Sequence, residues 1–576
     1  MKKVFLIFFT IFLTYSTYGQ VLNYNNLLLN FTQIVFDYKI YENFNKYKLV
    51  IAYNGADSSF NKENIIIDTI HESSAILIKE GIEFNQKYKW KYCILNNKNK
   101  VTFTSPVYYF QTGNSSLIDS NFFRLVFRKK EVKNQNNFIV VSDALKIAFN
   151  KNGKPIWYLN NNNLNNIRDL VLTPKGTFTF LNLNQAFETD KFGNTLFTPP
   201  NDGQISKDST EKYHHDFTLL KSGNYIICGQ KQFNPNETPN SVGATLFSSL
   251  PNQTQVSSST IIEYNKNKQV VWSFDLIPEL KRNFNIDIGK EPLMLRVGHL
   301  NGIDVDEKND FVYASFKTFN NIFKIKKSNN SIEYIFGNKN ISLKDSLKSN
   351  TNYFAAQHAP VLLKNGNLMV FNNNEQGKVS SIVELTVPNS FNEESQKVWE
   401  YKFDEDGFEN PHSEHLGSVQ ELPNNQFFVC AGAVNRLFQV NRNKQISWDV
   451  LTETNVNFNK GLSANWLPVS SYRAFKYSSL YPYYFTIQYQ KTKPKLKPNY
   501  SFKLYNIGTE NDEFLINYYT LDNKKEKLVF SKIENVLAEK NKTINTNTEK
   551  LKFIPIYKIE IVSKNSNQTI AFYTDK

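Results

Sequence analysis

The chain has 576 residues and a formal net charge of +14, and aromatic residues make up 15% of it, while glycine and proline are sparse. This composition argues against a disordered chain or a helical bundle and favours strands. Basic residues are scattered among acidic ones along the whole chain, so the charge indicates a solvated surface and no nucleic-acid partner. The length requires more than one folded unit, or a repeat array.

The N-terminus has the layout of a secretory signal peptide, because two lysines precede an apolar run at residues 4–13 and small and polar residues follow. Cleavage is expected near Gly19, so residues 1–19 are predicted to export the chain to the periplasm, the medium or the cell surface. The apolar run is shorter than the ~20 residues that a membrane-spanning helix needs. No later segment reaches that length, so no membrane span is predicted.

Residues 21–115 run in short alternating segments between Asn, Gly and Lys turns, among them YKLVIAYNG, KYKWKYCIL and VYYFQTG. Alternation with a period of two predicts half-buried strands. We therefore expect a small N-terminal β-sandwich. Its last segment, SPVYYFQTGN, resembles the final strand of a fibronectin type III domain.

The middle of the chain repeats one pattern, in which two apolar strands flank a turn built on Gly, Asn or Asp. Four copies are clear: HDFTLLKSGNYIICG, NGIDVDEKNDFVYAS, HAPVLLKNGNLMVFN and GSVQELPNNQFFVCAG. A fifth copy, DLVLTPKGTFTFL, and a degenerate sixth, FIVVSDALKIAF, precede them. Each copy is predicted to be a β-hairpin.

Later in most copies a polar turn leads to an aromatic residue, and four of the six tryptophans fall at this one phase: Trp157, Trp272, Trp399 and Trp448. Such units predict propeller blades rather than solenoid coils. The predicted fold class is all-β, with a six-bladed propeller over residues 130–485 that segment 465–485 closes. A small C-terminal β domain is expected at residues 495–576.

The histidines follow the repeat, since six of the seven lie between residues 213 and 416. His215 and His358 stand at the same distance before their hairpin turns, and His299 has nearly the same phase in the copy between them. The first strand of a blade is the innermost, so side chains at its start are expected to converge at one mouth of the central channel. Histidines at one phase in successive blades indicate a functional cluster.

Other roles stay open for these histidines at this point. Each could be a hydrogen-bonded turn residue, and three together could hold a catalytic zinc ion. No H-x-H or H-E-x-x-H pair occurs, and Asp216 is the one acidic residue beside them, so no metal site is predicted. No G-x-S-x-G motif accompanies a serine nucleophile.

The motifs HHDFTLLKSGN, GHLNGIDVDEKNDFVYASFK with EYIFGN, and QHAPVLLKNGNLMVFNN follow one another along the chain. In that order they resemble successive blades of the bacterial arylsulfate sulfotransferase family. GSVQELPNNQFFVCAG and SSYRAFKYSSLYP are similar to the family's last blade and closing segment. The resemblance implies a six-bladed propeller that moves a sulfuryl group from one phenol to another without a nucleotide sulfate donor.

The resemblance also implies roles for single residues. The histidine of the family's QH motif, the nucleophile that becomes sulfated, corresponds to His358. The histidine of the H-x-N motif corresponds to His299, with Asn301 beside it. The histidine of the HHD motif corresponds to His214 or His215, and the hairpin spacing favours His215.

The sequence departs from the family pattern at two positions. Lys317 stands where the family has a channel arginine, and a lysine keeps the charge but loses the planar fork that grips two sulfate oxygens. Ala359 follows the nucleophile, where the family often has an acidic residue.

Elementary chemistry agrees with these assignments. Sulfuryl transfer needs a neutral nucleophile of modest basicity, and an imidazole with a reference pKa of about 6.5 supplies one. Lys317 can neutralise the negative charge on the sulfuryl oxygens, and His215 or His299 can protonate the departing phenolate. His214 and Asn301 are expected to contact the substrate. The predicted partners are an aryl sulfate donor and a phenol acceptor, no cofactor is required, and the oligomeric state stays open.

Two further hypotheses come from other classes of protein. The chain could be a non-catalytic exported propeller that binds an aromatic or sulfated ligand or a surface partner, which the residues at 317 and 359 would favour. A quinoprotein-like or metal-dependent propeller enzyme is the third hypothesis.

Overall fold

The computed structural model describes residues 24–39, 46–55, 59–130, 137–160, 166–233, 256–284, 296–337, 353–374, 377–458, 460, 462–489, 501–545, 551 and 554–574. The predicted signal peptide lies outside these residues. The chain divides into two compact units, one of residues 1–28, 33–112 and 481–576 and the other of residues 29–32 and 113–480. The predicted domain bounds at 21–115, 130–485 and 495–576 stay predictions.

The described residues of the first unit form four sheets of antiparallel strands. From its N-terminal part come Leu27–Leu29, Ile34–Asp37, Lys46–Tyr53, Ile65–His71, Ala75–Ile78, Lys87–Leu95, Val101–Thr104 and Tyr108–Thr112. From its C-terminal part come Phe485–Tyr489, Ser501–Asn506, Asp512–Asp522, Lys525–Val536, Asn541–Asn545, Lys558–Ser563 and Thr569–Tyr573. In Asp512–Asp522 the fully buried side chains Phe514, Ile516 and Tyr518 alternate with more exposed ones, as a strand with one buried face requires.

In the part of the chain that the structure describes, the second unit contains six sheets, and each includes four neighbouring antiparallel strands, which we number from first to fourth by their order in the sheet. Sheet 1 is Ala474–Tyr477, Ile139–Ser142, Ile147–Asn150 and Pro155–Tyr158, and sheet 2 is Ile167–Leu172, Phe178–Asn182, Gln185–Thr189 and Thr195–Phe197. Sheet 3 is Tyr213–Leu219, Tyr225–Phe233, Val256–Tyr264 and Val270–Asp275, and sheet 4 is Leu300–Asp306, Phe311–Phe316, Asn321–Lys326 and Ser331–Gly337. Sheet 5 is His358–Leu362, Leu368–Asn372, Ser381–Leu385 and Lys397–Lys402, and sheet 6 is Ser418–Leu422, Gln426–Ala431, Arg436–Asn441 and Ile446–Asn455.

Shorter elements complete the second unit. Arg296–Val297 pairs in parallel with the third strand of sheet 3, and both Phe123–Lys129 and Trp466–Pro468 pair with the fourth strand of sheet 6. Among the described residues the α-helix is Leu276–Phe284, and the 3-10 turns are Ser116–Ile118, Lys317–Phe319 and Gly432–Val434. None of the helices described is long and apolar enough to cross a bilayer. The all-β class predicted from the sequence is confirmed.

The first strands of the six sheets form a closed series. Those of sheets 2 to 6 contact one another in succession, and Ala474–Tyr477 contacts the first strands of both sheet 6 and sheet 2. This strand also pairs with Ile139–Ser142, so a segment from the end of the unit supplies the first strand of sheet 1. The hairpin predicted at FIVVSDALKIAF forms, but from the second and third strands of its sheet, one strand out of step with the other copies.

The four tryptophans at the shared phase all lie in fourth strands and make the same kind of bond. Each indole N–H donates to the turn between the third and fourth strands of the next sheet. The acceptors are Lys191 O for Trp157 (2.7 Å), Asn330 Oδ1 for Trp272 (2.8 Å), Arg442 O for Trp399 (2.9 Å) and Lys151 O for Trp448 (3.1 Å). Trp448 thus links sheet 6 to sheet 1.

The hydrophobic core of this unit lies between the faces of neighbouring sheets. One cluster joins sheets 3 and 4, another joins sheets 4 and 5, and a third joins sheets 5 and 6. In the third, Phe371 of sheet 5 and Phe438 of sheet 6 are fully buried. Burial of such a side chain contributes about 1.5–3 kcal/mol, so the alternating aromatic residues of the repeat hold consecutive sheets together.

Candidate active site

The first strands of sheets 3, 4 and 5 are interrupted by β-bulges at the histidines. The strand register breaks between Tyr213 and Phe217, between Leu300 and Gly302, and between His358 and Val361. Left-handed backbone occurs beside each break, with φ of 65° at His215, 47° at His299 and 42° at Ala359. A bulge turns a side chain away from the regular pleat, and left-handed non-glycine residues concentrate at functional sites.

These bulges bring four of the predicted histidines together. The rings of His215 and His299 are 5.3 Å apart, and the Nδ1 atoms of His214 and His215 are 2.6 Å apart. His358 is close enough to both His215 and His299 for its charge to affect them. His415, in contrast, is 48% exposed and pairs with Glu414, and no contact between its ring and the four clustered histidines occurs among the described residues.

One hydrogen bond determines which nitrogen of His358 is available. The Nδ1–H of His358 donates to Oδ1 of Asn373 (2.6 Å), while the Asn373 amide donates to Ser413 O (2.7 Å) and Leu416 O (2.9 Å). Since both amide hydrogens are used, Oδ1 must face the ring as an acceptor. The proton of the neutral ring is therefore held on Nδ1, and Nε2 carries the free lone pair.

His358 is neutral over a wide range of pH. It is 4% exposed, and burial lowers its pKa to about 3, helped by the charges of Lys317, Arg473 and His299 and opposed by the bond to Asn373. Burial likewise lowers the pKa of His215 well below its usual value, and the neighbouring histidines and Arg473 act in the same direction. Uncharged imidazole is the nucleophilic form.

Lys317 follows the second strand of sheet 4 and places a cation beside the cluster. Its backbone N–H donates to His299 O (3.1 Å), and its ammonium makes no hydrogen bond or ion pair with another described residue. Burial lowers the pKa of Lys317, and Glu414 opposes this shift. An ammonium without a protein partner is able to bind an anionic group.

Asn301 is fully buried and acts on the backbone that leads into His358. Its Nδ2 donates to Gln357 O (2.7 Å), and its Oδ1 has no hydrogen-bond partner among the described residues. Gly302, next in the chain, lies so close to the neighbouring strand that a Cβ there would be 2.8 Å from Ala359 N. Only glycine permits this approach of the first strands of sheets 4 and 5.

Arg473, which the sequence reasoning did not single out, lies at the base of the cluster and is 7% exposed. Its guanidinium pairs with Asp216 and with Asp169 (3.6 Å), and one Nη2–H donates to Asn301 O (3.3 Å). Nearby Asp216 and Asp169 raise its pKa against the effect of burial. Arg473 belongs to the segment SSYRAF, directly before the strand that completes sheet 1, and this position in the closing segment was visible in the sequence. No pattern in the sequence, however, pairs Arg473 with two aspartates.

The site thus combines a neutral imidazole with a defined lone pair, further imidazoles and two cationic side chains. Such a set can attack an electrophilic centre, take up or give a proton, and stabilise negative charge on the transferred group. Within the part of the chain that the structure describes, no group of three or more His, Cys, Asp or Glu side chains is arranged to hold a metal ion.

Comparison with known proteins gives one family and several distant structures. The family model described as arylsulfotransferase (ASST) matches residues 124–465. No curated protein matches the sequence. A protein of unknown function from Bacteroides caccae is 12% identical, with a TM-score of 0.34 over 58% of this chain and 98% of that one.

Two further solved structures are similar at the same level. A catalytically inactive virginiamycin B lyase from Staphylococcus aureus with quinupristin is 14% identical, with a TM-score of 0.31 over 57% of this chain and 88% of that one. An auxiliary nutrient binding protein from Bacteroides ovatus is 10% identical, with a TM-score of 0.31 over 77% of this chain and 88% of that one. At TM-scores this low, none of these structures bears on the site.

Proposed function

Since the chain belongs to the arylsulfotransferase (ASST) family, we propose that it transfers a sulfuryl group from an aryl sulfate to a phenol through a sulfated His358. The observation that carries this proposal is the hydrogen bond between His358 Nδ1 and Asn373 Oδ1 (2.6 Å), which leaves Nε2 as a nucleophile. The burial of His358 and the cations around it support the same role.

In this proposal the six sheets of the second unit are the blades of a six-bladed propeller, closed where Ala474–Tyr477 completes sheet 1. The closed series of contacts between first strands supports this architecture. The histidines at the bulged starts of three first strands then lie at one mouth of the central channel. We further propose that the leader exports the protein, which would place it where small phenolic sulfates reach it without a nucleotide donor.

The first half-reaction converts His358 into a sulfohistidine. Nε2 attacks sulfur while the bond between sulfur and the aryl oxygen breaks, and the phenolate leaves with that electron pair. His299 protonates it, because a phenolate with a pKa of about 10 is a poor leaving group and His215 is held neutral by burial. The ring becomes positive, and its Nδ1–H remains bound to Asn373, while Lys317 stabilises the sulfuryl oxygens.

The second half-reaction returns the enzyme to its starting state. An acceptor phenol gives its proton to the histidine that acted as acid, and its oxygen attacks sulfur. The electron pair of the N–S bond returns to Nε2 of His358. In this scheme His214 and Asn301 orient the substrate, and the buried Asn301 Oδ1, which has no partner among the described residues, is a free acceptor for it. No nucleotide donor and no cofactor takes part.

The test is release of 4-nitrophenol from 4-nitrophenyl sulfate with added phenol, which we expect to require both the acceptor and His358. His358→Ala should abolish release, while His415→Ala, which changes an exposed histidine outside the cluster, should leave it unchanged. Intact mass should show a sulfated wild-type chain when the acceptor is omitted. A folded wild-type protein that releases no phenol with any acceptor would contradict the proposal and favour the ligand-binding hypothesis.

A further inference from the structure

A buried ionic network connects the closing strand of the second unit to the strands that carry the histidines. Arg473 pairs with Asp169 of sheet 2 and Asp216 of sheet 3, and it donates to Asn301 O of sheet 4 (3.3 Å). The two carboxylates each accept a further backbone N–H from the next sheet, Asp169 from Phe217 (3.0 Å) and Asp216 from Ile303 (2.7 Å).

The network continues to the backbone beside His358. Asn301, whose carbonyl accepts from Arg473, donates its amide to Gln357 O (2.7 Å). Gln357 in turn donates to Ser315 Oγ (3.1 Å) and Asn321 O (2.9 Å), so the residue before His358 is held on both sides. A change at Arg473 therefore reaches His358 through two hydrogen bonds.

Arg473 also adds a fixed positive charge below the imidazoles. The aromatic ring of Tyr472 lies 5.2 Å from the Arg473 guanidinium carbon and 5.8 Å from the His215 ring. The guanidinium Nε is buried and has no hydrogen-bond partner among the described residues. These features suit a residue that acts through others rather than one that touches the substrate.

We propose that Arg473 is a positioning residue of this site: it sets the placement of His358 through Asn301 and holds a fixed positive charge beside the imidazoles. This inference rests on the proposed sulfuryl transfer for its effect on rate. It goes beyond that proposal in assigning a role to the segment that closes the ring, because Arg473 of that segment contacts three other sheets.

The inference predicts a change in the pH dependence of transfer. The charged and titratable groups that face His358 are Lys317, Arg473, His299 and His215, and removal of one nearby cation shifts a pKa by about one unit. Without Arg473 the pKa of His358 rises, so the pH below which transfer is lost moves towards neutral. Loss of the hydrogen bond to Asn301 O should reduce kcat more than it changes KM for the aryl sulfate.

The first variant is Arg473→Gln, which removes the cation and keeps both of its partner carboxylates, Asp169 and Asp216. The matched control is Arg436→Gln, since Arg436 is also buried between two aspartates, Asp449 and Asp406, but lies in sheet 6 away from the histidines. We expect Arg473→Gln to lower kcat about tenfold and to move the acid limb of the pH–rate profile up by about one pH unit. Arg436→Gln should lower thermal stability and leave the acid limb unchanged.

Arg473→Lys separates charge from geometry and keeps the test open if Arg473→Gln does not fold. It should keep the acid limb of the wild type, because the charge remains, and lose kcat, because an ammonium cannot reach two carboxylates and a carbonyl in one plane. Wild-type kcat and an unchanged acid limb in a folded Arg473 variant would overturn the inference.

A readout that needs no turnover distinguishes this inference from the proposed function. In protein labelled with ¹³C in the histidine rings, the His358 resonance, assigned by its loss in His358→Ala, reports ring protonation directly. If the wild type transfers no sulfate but the His358 titration moves up in Arg473→Gln, the proposed function fails and the role of Arg473 stands. If the wild type is active and the titration does not move, the role of Arg473 fails alone.

Discussion

Replacing Asn373 with leucine should slow sulfuryl transfer without removing the nucleophile. Leucine has nearly the same size, but it offers no acceptor to the Nδ1–H of His358, which now donates to Oδ1 at 2.6 Å. In the free enzyme this bond joins two neutral groups. In the transition state the ring gains positive charge, and the bond becomes charge-assisted.

The expected loss follows from the difference between those two kinds of bond. A neutral hydrogen bond contributes about 0.5–1.5 kcal/mol, and one to a charged group contributes about 1.5–3 kcal/mol. The difference of about 1–2 kcal/mol belongs to the transition state, which corresponds to a decrease of about 5–30-fold in kcat. Ser413 O and Leu416 O also lose their donor, so the variant should unfold at a lower urea concentration.

The assay is steady-state release of 4-nitrophenol at saturating phenol, measured across pH for Asn373→Leu and Asn373→Asp. Aspartate keeps the acceptor and adds a negative charge beside the ring, so it should retain more of the rate and raise the pKa of His358 from about 3. Asn367→Leu is the control, because Asn367 lies in the turn before the same strand, Leu368–Asn372, and bonds to Glu384 instead. A folded Asn373→Leu protein with the kcat of the wild type would refute the reasoning.

Two predictions concern stability. Trp448→Phe removes the indole N–H that donates to Lys151 O (3.1 Å) between sheets 6 and 1, so the free energy of unfolding in urea should fall by about 2 kcal/mol. Trp466→Phe, at a half-buried site, should lower the free energy of unfolding by less. Equal effects of the two changes would refute a role of Trp448 in closing the ring of sheets. His71 is held neutral because burial lowers its pKa to about 4, so the unfolded chain binds more protons than the folded one between pH 6.5 and about 4. The stability that this neutral ring contributes is present above pH 6.5 and is lost as the pH falls through that range. His71→Phe should therefore flatten the acid side of a plot of unfolding free energy against pH. An unchanged plot would contradict the lowered pKa of His71.

The strands and their order were readable from the sequence because they depend on local chemistry. Alternating apolar residues around Gly, Asn and Asp turns predicted the hairpins, and each forms where the pattern placed it. The common phase of Trp157, Trp272, Trp399 and Trp448 was also visible, although the bond that each makes to the next sheet was not. The hairpin at Ile139–Asn150 forms the second and third strands of its sheet, whereas the other hairpins form the first and second. The first strand of this sheet is Ala474–Tyr477, which is over 300 residues away along the chain.

The gathering of the histidines followed from the repeat, because equal phase in neighbouring units places side chains at the same end of their strands. His215, His299 and His358 were aligned on that basis, and their first strands do adjoin. The partners that define their chemistry lie elsewhere in the chain. Asn373 follows the neighbouring strand of sheet 5, and Arg473 enters from the closing segment.

The sequence by itself determined the all-β class, the hairpins and the shared phase of histidines and tryptophans, since these depend on residues a few positions apart. Only the tertiary structure decided which nitrogen of His358 is free, how far burial lowers its pKa, and that Arg473 reaches Asp169 and Asp216. The physical reason is that desolvation and directed hydrogen bonds arise between strands that meet only on folding. Such contacts produce no repeating pattern in the amino-acid sequence.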